Sequence, residues 1–266
     1  MRRLVPAFLF LLASLLLAGA QDLPAAPQNP LEGVSSGRTP VVDLSYAVGP
    51  KVVPWPGDEG SFEAKLNATV EKNGYFTRTI RMLEHFGTHV DAPAHFPPGK
   101  TTVDKIPPQR LFGPAVVIDV RAESAKDADY RLTAGRVAQW EKQHGRIPPG
   151  AIVVLRTGWA ARWPDVARYR NTDAKGVMHF PGYSVEAVRL LLERKVSGLG
   201  IDTLSIDYGM SREFAVHRLS HGVDLYHVEN LADLSALPES GAFLVVAPIK
   251  LEGGSGGPCR VFAILP

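Results

Sequence analysis

Three histidines, an aspartate, a glycine and a proline lie within one short stretch of the chain, EHFGTHVDAPAHF, residues 84–96. Imidazole nitrogens and carboxylate oxygens are ligands for Zn²⁺, Mn²⁺ and Fe²⁺. The stretch therefore indicates a metal site without choosing the metal. The alternative is a surface loop whose histidines are ordinary polar groups.

The backbone of this stretch decides which side chains can meet. A helix would place His85 and His89 on one face, as in a metalloprotease helix. Gly87 weakens a helix, however, and Pro93 disfavours helical geometry at the residue before it. We expect extended or turned backbone instead, in which His89 and Asp91 point the same way and a bend at Gly87 brings His85 beside them.

A second group of ligand-type residues lies in FAVHRLSHGVDLYHVENL, residues 214–231. A stable metal site needs ligands beyond two histidines and an aspartate, or water in their place, and distant segments commonly supply them. We predict that His217 and Glu229 are these ligands. We expect His221 and His227 to be solvated or packing histidines.

Two other patterns are weaker indications of chemistry. Residues 253–257, GGSGG, fit the G-x-S-x-G pattern of serine hydrolases, but Ser255 is followed by neither a helix-length segment nor a histidine. We predict a tight turn between the last two strands here. Asp202 and Asp207 follow a predicted strand and are expected to hydrogen-bond loop backbone.

The N-terminus has the pattern of a secretory signal peptide. Two arginines precede an apolar run from Leu4 to Leu17, and small residues lead up to Ala20. The run is short for a membrane span, so we expect cleavage after Ala20 and export, without a stable membrane anchor. An uncleaved anchor is the alternative.

Charge and cysteine content narrow the class of partner. Without residues 1–20, which hold two arginines and no acids, the 29 basic residues fall to 27 and equal the 27 acidic ones. A neutral chain lacks the basic surface of nucleic-acid binders, so we expect a small-molecule partner. Cys259 is the single cysteine, so a metal site here must use histidines and carboxylates.

The pattern along the chain predicts an α/β domain with a mixed sheet. Residues 21–39 are rich in Pro, Ala, Gly and Ser and are predicted to form a flexible arm, followed by one domain over residues 40–266. Thr133 and Ser184 are predicted to cap two helices. Short β-type runs are predicted at 41–46, 77–83, 115–120, 151–156, 198–202, 242–248 and 259–265.

The motif HxGTHxDxPxH at residues 85–95 resembles the signature of the cyclase family, which includes bacterial kynurenine formamidases (arylformamidases) and isatin hydrolases. The resemblance continues in the family's order through nearly the whole domain. Its further motifs are DLS (43–45), PWPGD (54–58), LRTGW (155–159), FPGYS (180–184), GIDTLSID (200–207), ENL (229–231) and GGSGGPCRV (253–261).

This resemblance implies a metal centre and an assembly. It implies one or two divalent ions, Zn²⁺ first and Mn²⁺ as the alternative, with Glu229 able to bridge two ions. It further implies a homodimer or homotetramer, and a swivelling β/β/α fold with a barrel-like core flanked by helices. The ligands implied are His85, His89, Asp91, His217 and Glu229.

The resemblance also implies the chemistry. His95 becomes the acid/base group, while Trp55 and, by its place in the motif, Phe86 contact the substrate. The expected enzyme is a metal-dependent hydrolase of the C–N bond of an aryl formamide, such as N-formylkynurenine, or of a cyclic amide. The wording IDTLSIDYG and EGGSGGP is closer to isatin-hydrolase-like proteins.

An exported, non-enzymatic metal- or ligand-binding protein is the competing class, but such a binder has no use for a titrating histidine beside its ligands.

Overall fold

The computed structural model of the chain describes residues 32–266. The predicted signal peptide, residues 1–20, lies outside the described residues, and so do residues 21–31 of the predicted arm. Contacts divide the chain after Arg38. In the first unit Glu32–Ser35 forms a short helix, α1. The second unit is Thr39–Pro266.

Short strands dominate the second unit. The strands are β1 Val41–Asp43, β2 Glu63–Ala68, β3 Thr77–Arg81, β4 His89–Asp91, β5 Phe112–Asp119, β6 Arg131–Leu132, β7 Ile152–Arg156, β8 Gly182–Tyr183, β9 Gly198–Ile201, β10 Tyr226–Glu229, β11 Phe243–Pro248 and β12 Gly256–Ile264. The helices after α1 are α2 Val70–Asn73, α3 Arg121–Lys126, α4 Ala134–His144, α5 Val166–Arg170, α6 Val185–Glu193 and α7 Ala215–Gly222. No helix among residues 32–266 is long and apolar enough to cross a membrane.

Seven of these strands close into a barrel-like sheet. Neighbours pair in the order β12, β11, β5, β7, β9, β10, β4, and β4 pairs back to β12. The run from β5 to β10 is parallel, whereas β4, β11 and β12 pair antiparallel. The edge strand β1 pairs with the far end of β12. The predicted α/β fold with a mixed, barrel-like sheet flanked by helices is confirmed.

Side chains along the strands alternate between two apolar cores. On β5, Val117 belongs to the barrel interior and Ile118 to the layer under the helices. Val90 of β4 and Val228 of β10 also belong to the interior core. Because successive side chains of a strand point to opposite faces, the polar neighbours of these two valines lie on the outer face of the barrel.

The two predicted helices form where their caps begin them. Thr133 and Ser184 each accept a hydrogen bond from the backbone N–H three residues on, at the starts of α4 and α6. Each predicted strand run overlaps an observed strand, and β9 pairs parallel with β7 and β10. The sequence did not predict β10 or α7 as regular elements, although both carry candidate site residues.

Candidate metal centre and active-site cavity

The three-residue strand β4 positions the first ligand candidates. It lies between β10 and β12, and its residues are all buried. His89 and Asp91 point to the outer face of the barrel, as the extended backbone predicted. The antiparallel register places Glu229 opposite His89 and His227 opposite Asp91. Directly opposite side chains in a sheet share a face, so one face carries all four groups.

A bend at Gly87 and the space beside Gly256 allow His85 to reach this face. Gly87 has a φ of +68°, which turns the chain back ahead of β4. His85 Nδ1 then lies 2.5 Å from Asp91 Oδ1. The ring occupies the space beside Gly256, where an added Cβ would come within 2.5 Å of His85 Cε1. The same Cβ would lie 2.6 Å from the carbonyl oxygen of Val90 on β4, so a side chain at position 256 would displace His85 or the adjoining part of that strand.

Helix α7 supplies His217, and Asp207 fixes its ring. Asp207 accepts hydrogen bonds from the backbone N–H groups of Val216 and His217, both at 3.1 Å, and from His217 Nδ1 at 2.7 Å. The other ring nitrogen, Nε2, lies 3.1 Å from Asp91 Oδ2 and 3.3 Å from Glu229 Oε1. Asp207 thus bonds the first turn of α7, where loop backbone was predicted, and in addition orients a ligand candidate.

The same arrangement fixes the other two imidazoles. His89 Nδ1 donates to the carbonyl of Gly87 at 2.9 Å. Ser255 Oγ donates to Glu84 Oε2 at 2.8 Å, so it accepts from His85 Nε2 at 2.9 Å. In all three histidines the nitrogen that points away from Asp91, the outer nitrogen, carries the hydrogen. The other nitrogen, the inner one, presents its lone pair to a carboxylate. A lone pair facing a carboxylate is repulsive unless a proton or a metal ion lies at that position.

The ionisation of the cluster shows the demand for positive charge. Burial alone lowers the pKa of His89, but the carboxylates of Asp91 and Glu229 outweigh it and raise that pKa to about 9. Burial likewise opposes protonation of His217, yet Asp207, Asp91 and Glu229 raise its pKa well above the usual value. Burial and the charge of Asp91 raise the pKa of Glu229. Without a metal ion, protonation of the histidines supplies the positive charge that the carboxylates need.

The donor set fits a divalent ion. Asp91, His217, His227 and Glu229 each offer a ligand atom within 4.8 Å of the others, and so do His85, Asp91 and His95. Two carboxylates with neutral imidazoles form a possible binding site for Zn²⁺, Mn²⁺ or Fe²⁺. These donors do not choose between the metals.

A cavity of about 590 Å³ opens above this cluster. Three aromatic rings of its lining lie next to one another, with ring centroids 6.2 Å apart for Trp55 and Phe214 and 5.4 Å apart for Phe96 and Phe214. Phe86, in contrast, is 4 % exposed and stacks on Phe62, and it is not among the lining residues. Trp55 therefore lines the cavity, whereas Phe86 packs beside it.

His95 lies at the open side of the cluster. It ends a short 3-10 helix, Pro93–His95, and its ring stacks on that of His85 with centroids 3.9 Å apart. Although exposed, the ring lies inside the concave lining, where desolvation and the neighbouring histidines lower its pKa to about 4. His95 is thus a neutral imidazole at pH 7, beside the ligand candidates.

Two residues of the site were not predicted from the sequence. Glu84 and Ser255 hold His85, and both line the cavity. The glycine-rich turn that holds Ser255 was predicted to connect the last two strands, with proximity to the active site left open, but no role was predicted for Ser255. Its sequence gives one retrospective signal, because a serine flanked by glycines exposes its backbone N–H and hydroxyl to whatever lies opposite.

Comparison with known proteins gives consistent relatives. The Cyclase family model matches residues 42–208. Isatin hydrolase of Roseibium aggregatum is 36% identical over 259 residues, which are 90% of this chain and 98% of that protein. Kynurenine formamidase of Salinibacter ruber is 25% identical over 226 residues, 83% of this chain and 95% of that protein. A crystal structure of an isatin hydrolase bound to the product analogue thioisatinate matches with a TM-score of 0.82 and 34% identity, over 88% of this chain and 95% of that one.

The chain belongs to the cyclase family. The resemblance found in the sequence is confirmed by the family match and by the shared fold. The relatives of this cyclase-family chain are hydrolases, and they support an amidohydrolase as its class of enzyme.

The gap at Gly256 gives a test of the cluster. We expect Gly256→Ala to displace His85 and to raise the Kd for Zn²⁺ by roughly 10- to 100-fold, measured by titration of the metal-free protein. Gly257→Ala is the matched control, because its Cβ would meet the Ile249 side chain, at 2.8 Å from Cγ2, instead of His85. Equal Zn²⁺ affinity in both variants and the wild type would contradict this account.

Proposed function

We propose that this chain hydrolyses the amide C–N bond of a cyclic aryl amide of the isatin type. The observation that carries the proposal is the set of three imidazole lone pairs facing two buried carboxylates at the floor of an aromatic-walled cavity. The higher identity to isatin hydrolase than to kynurenine formamidase favours a cyclic amide over an aryl formamide.

Five residues would hold the divalent ion. We expect this ion to be Zn²⁺, with Mn²⁺ as the alternative. A bound ion would supply Lewis acidity for the activation of water and for the stabilisation of negative charge on the carbonyl oxygen of the substrate. In the balanced reaction the carbonyl carbon gains the water oxygen, the C–N bond breaks, the nitrogen takes one proton of the water, the other proton is released to solvent, and a carboxylate remains on the same molecule. The five residues are His85, His89, Asp91, His217 and Glu229.

His95 would move the proton in this reaction. Its ring stacks on that of His85, so it lies next to the reacting groups without a ligand role in this proposal. As a neutral imidazole it can accept the proton of the attacking water and then donate it to the departing nitrogen. Because the ring is exposed to the cavity, the proton can also exchange with solvent.

The cavity lining supports a neutral aryl substrate. Trp55, Phe96 and Phe214 offer flat apolar surfaces for an aromatic ring. The described residues that line the cavity include no lysine or arginine. The free carboxylate of a substrate such as N-formylkynurenine would thus find no lysine or arginine partner in the lining, whereas isatin carries no charge.

Export through residues 1–20 and assembly into a homodimer or homotetramer are further parts of the proposal, and both rest on the sequence alone. The competing hypothesis, an exported binder without activity, predicts metal binding with no turnover. Its only support is the predicted signal peptide.

Substrate comparison tests the proposed activity. We expect the purified metal-loaded protein to hydrolyse isatin with a higher kcat/KM than N-formylkynurenine. We expect dialysis against a chelator to abolish both activities, and added Zn²⁺ or Mn²⁺ to restore them. Metal binding without turnover of either substrate would favour the binder, and a higher kcat/KM for N-formylkynurenine would reverse the substrate assignment.

Replacement of His95 tests the proton transfer. His95→Ala should keep the metal content of the wild type and lower kcat by roughly 10² or more, because a positioned acid/base group contributes about that factor. His144→Ala is a control, since His144 lies on α4 and bonds Glu239 outside the cavity lining. An unchanged kcat in the His95 variant would eliminate this role.

A further inference from the structure

The cavity lining contains hydroxyl, amide and carboxylate groups beyond the ligand candidates, and most of them are already bonded within the chain. Glu84 and Ser255 bond each other. The side-chain amide of Asn230 bonds a tyrosine hydroxyl and a backbone carbonyl. Two lining residues, Asp58 and Ser205, have side-chain oxygens that form no hydrogen bond within residues 32–266.

These two residues differ in burial and in chemistry. Asp58 is half-buried, so water can bond its side chain. Ser205 is 3 % exposed, yet it lines the cavity. A hydroxyl carries one hydrogen to donate, and a buried donor without a partner costs free energy until a ligand or water accepts that hydrogen. Ser205 is therefore a buried donor with its bonding capacity unused by the fold.

Two hydrogen bonds fix the peptide group that follows Ser205. The hydroxyl of Thr203 donates to the carbonyl of Ser205 at 2.8 Å. The backbone N–H of Ile206 donates to Glu229 Oε1 at 2.7 Å. The backbone at Ser205 is thus tied directly to a ligand candidate, and its position relative to that carboxylate is set before a substrate enters.

The sheet explains why Ser205 and Glu229 meet. Ser205 lies in the loop that follows β9, and Glu229 is the last residue of β10. These strands are parallel neighbours, so their carboxyl ends lie at the same edge of the sheet. The backbone N–H of Asn230 donates to the carbonyl of Thr203 at 2.9 Å, which ties the end of β10 to the loop.

The proposed reaction has a use for such a donor. When water adds to an amide, negative charge develops on the carbonyl oxygen, and a donor held at that position stabilises the transition state more than the ground state. The other hydroxyl of the described lining, Ser255 Oγ, already donates to Glu84. Ser205 is the lining hydroxyl whose hydrogen remains for the substrate.

We propose that Ser205 Oγ donates a hydrogen bond to the carbonyl oxygen of the scissile amide as negative charge develops there. No covalent bond of Ser205 forms or breaks, and the hydroxyl keeps its hydrogen throughout. This inference rests on the proposed function, and it assigns a catalytic role to a residue for which the sequence predicted none.

A matched pair of serine variants tests the role. Ser124 on α3 is 5 % exposed, and its hydroxyl also lacks a partner within residues 32–266, but it does not line the cavity. We expect Ser205→Ala to lower kcat for isatin by roughly 10²-fold, as removal of one such donor does. Its KM should stay close to that of the wild type, because the bond strengthens only in the transition state. Ser124→Ala should keep both constants.

Stability and metal affinity distinguish this role from a structural one. The hydroxyl of Ser205 bonds nothing within the described chain, so Ser205→Ala should keep the Tm and the Kd for Zn²⁺ of the wild type. A fall in Tm or in Zn²⁺ affinity that accompanies the loss of kcat would assign Ser205 to structure and overturn the proposal.

One further variant and the wild type complete the test. Ser205→Cys has nearly the same shape with a weaker donor, so it should also lower kcat, and it serves if the alanine variant does not fold. Equal kcat in Ser205→Ala and the wild type, or an effect confined to KM, would overturn the proposal. Absence of isatin hydrolysis by the metal-loaded wild type would instead contradict the proposed function.

Discussion

Two carboxylates buried side by side, Asp91 and Glu229, set the main constraint on this structure. They are 1 % and 5 % exposed, and within the described part of the chain their ion-pair partners are all histidines. Burial of two like charges costs several kcal/mol per ion unless cations pair with them. No lysine or arginine in residues 32–266 pairs with them, so the cluster must take up protons or metal ions.

The fold is arranged around that requirement. A three-residue strand that closes the barrel carries Asp91, and the next strand carries Glu229 on the same outer face. Gly256 leaves room for one imidazole, and Asp207 at the start of α7 fixes another. Each ring is held by a hydrogen bond from its outer nitrogen, so the inner nitrogens converge before any ion binds. Preorganisation of this kind reduces the free energy needed to order the ligands on binding.

Much of this arrangement could be predicted from the sequence. The features that could not be predicted have physical causes. Gly87 and Pro93 excluded a helix, so the common direction of His89 and Asp91 could be predicted. The elements β10 and α7 were missed because their polar residues face the site and interrupt the usual apolar periodicity. The position of Phe86 could not be predicted, since adjacent residues of a bent segment point in different directions.

Contacts between distant segments were the other unpredictable part. Glu84 meets Ser255 across more than 170 positions of sequence, and Ser220 meets His227 only because α7 packs on β10. Such pairs leave no local spacing to recognise. The family resemblance supplied the ligand set, but it gave no account of the groups that hold each ring.

The central claim is that a metal ion, and not a set of protons, neutralises Asp91 and Glu229. X-ray diffraction from crystals of the metal-loaded protein, collected on both sides of the absorption edge of the bound metal, tests it most directly. The account predicts an anomalous difference peak in contact with Asp91, Glu229 and the inner nitrogens of the three histidines. Absence of a peak there, with the carboxylates still hydrogen-bonded directly to the imidazoles, would contradict it.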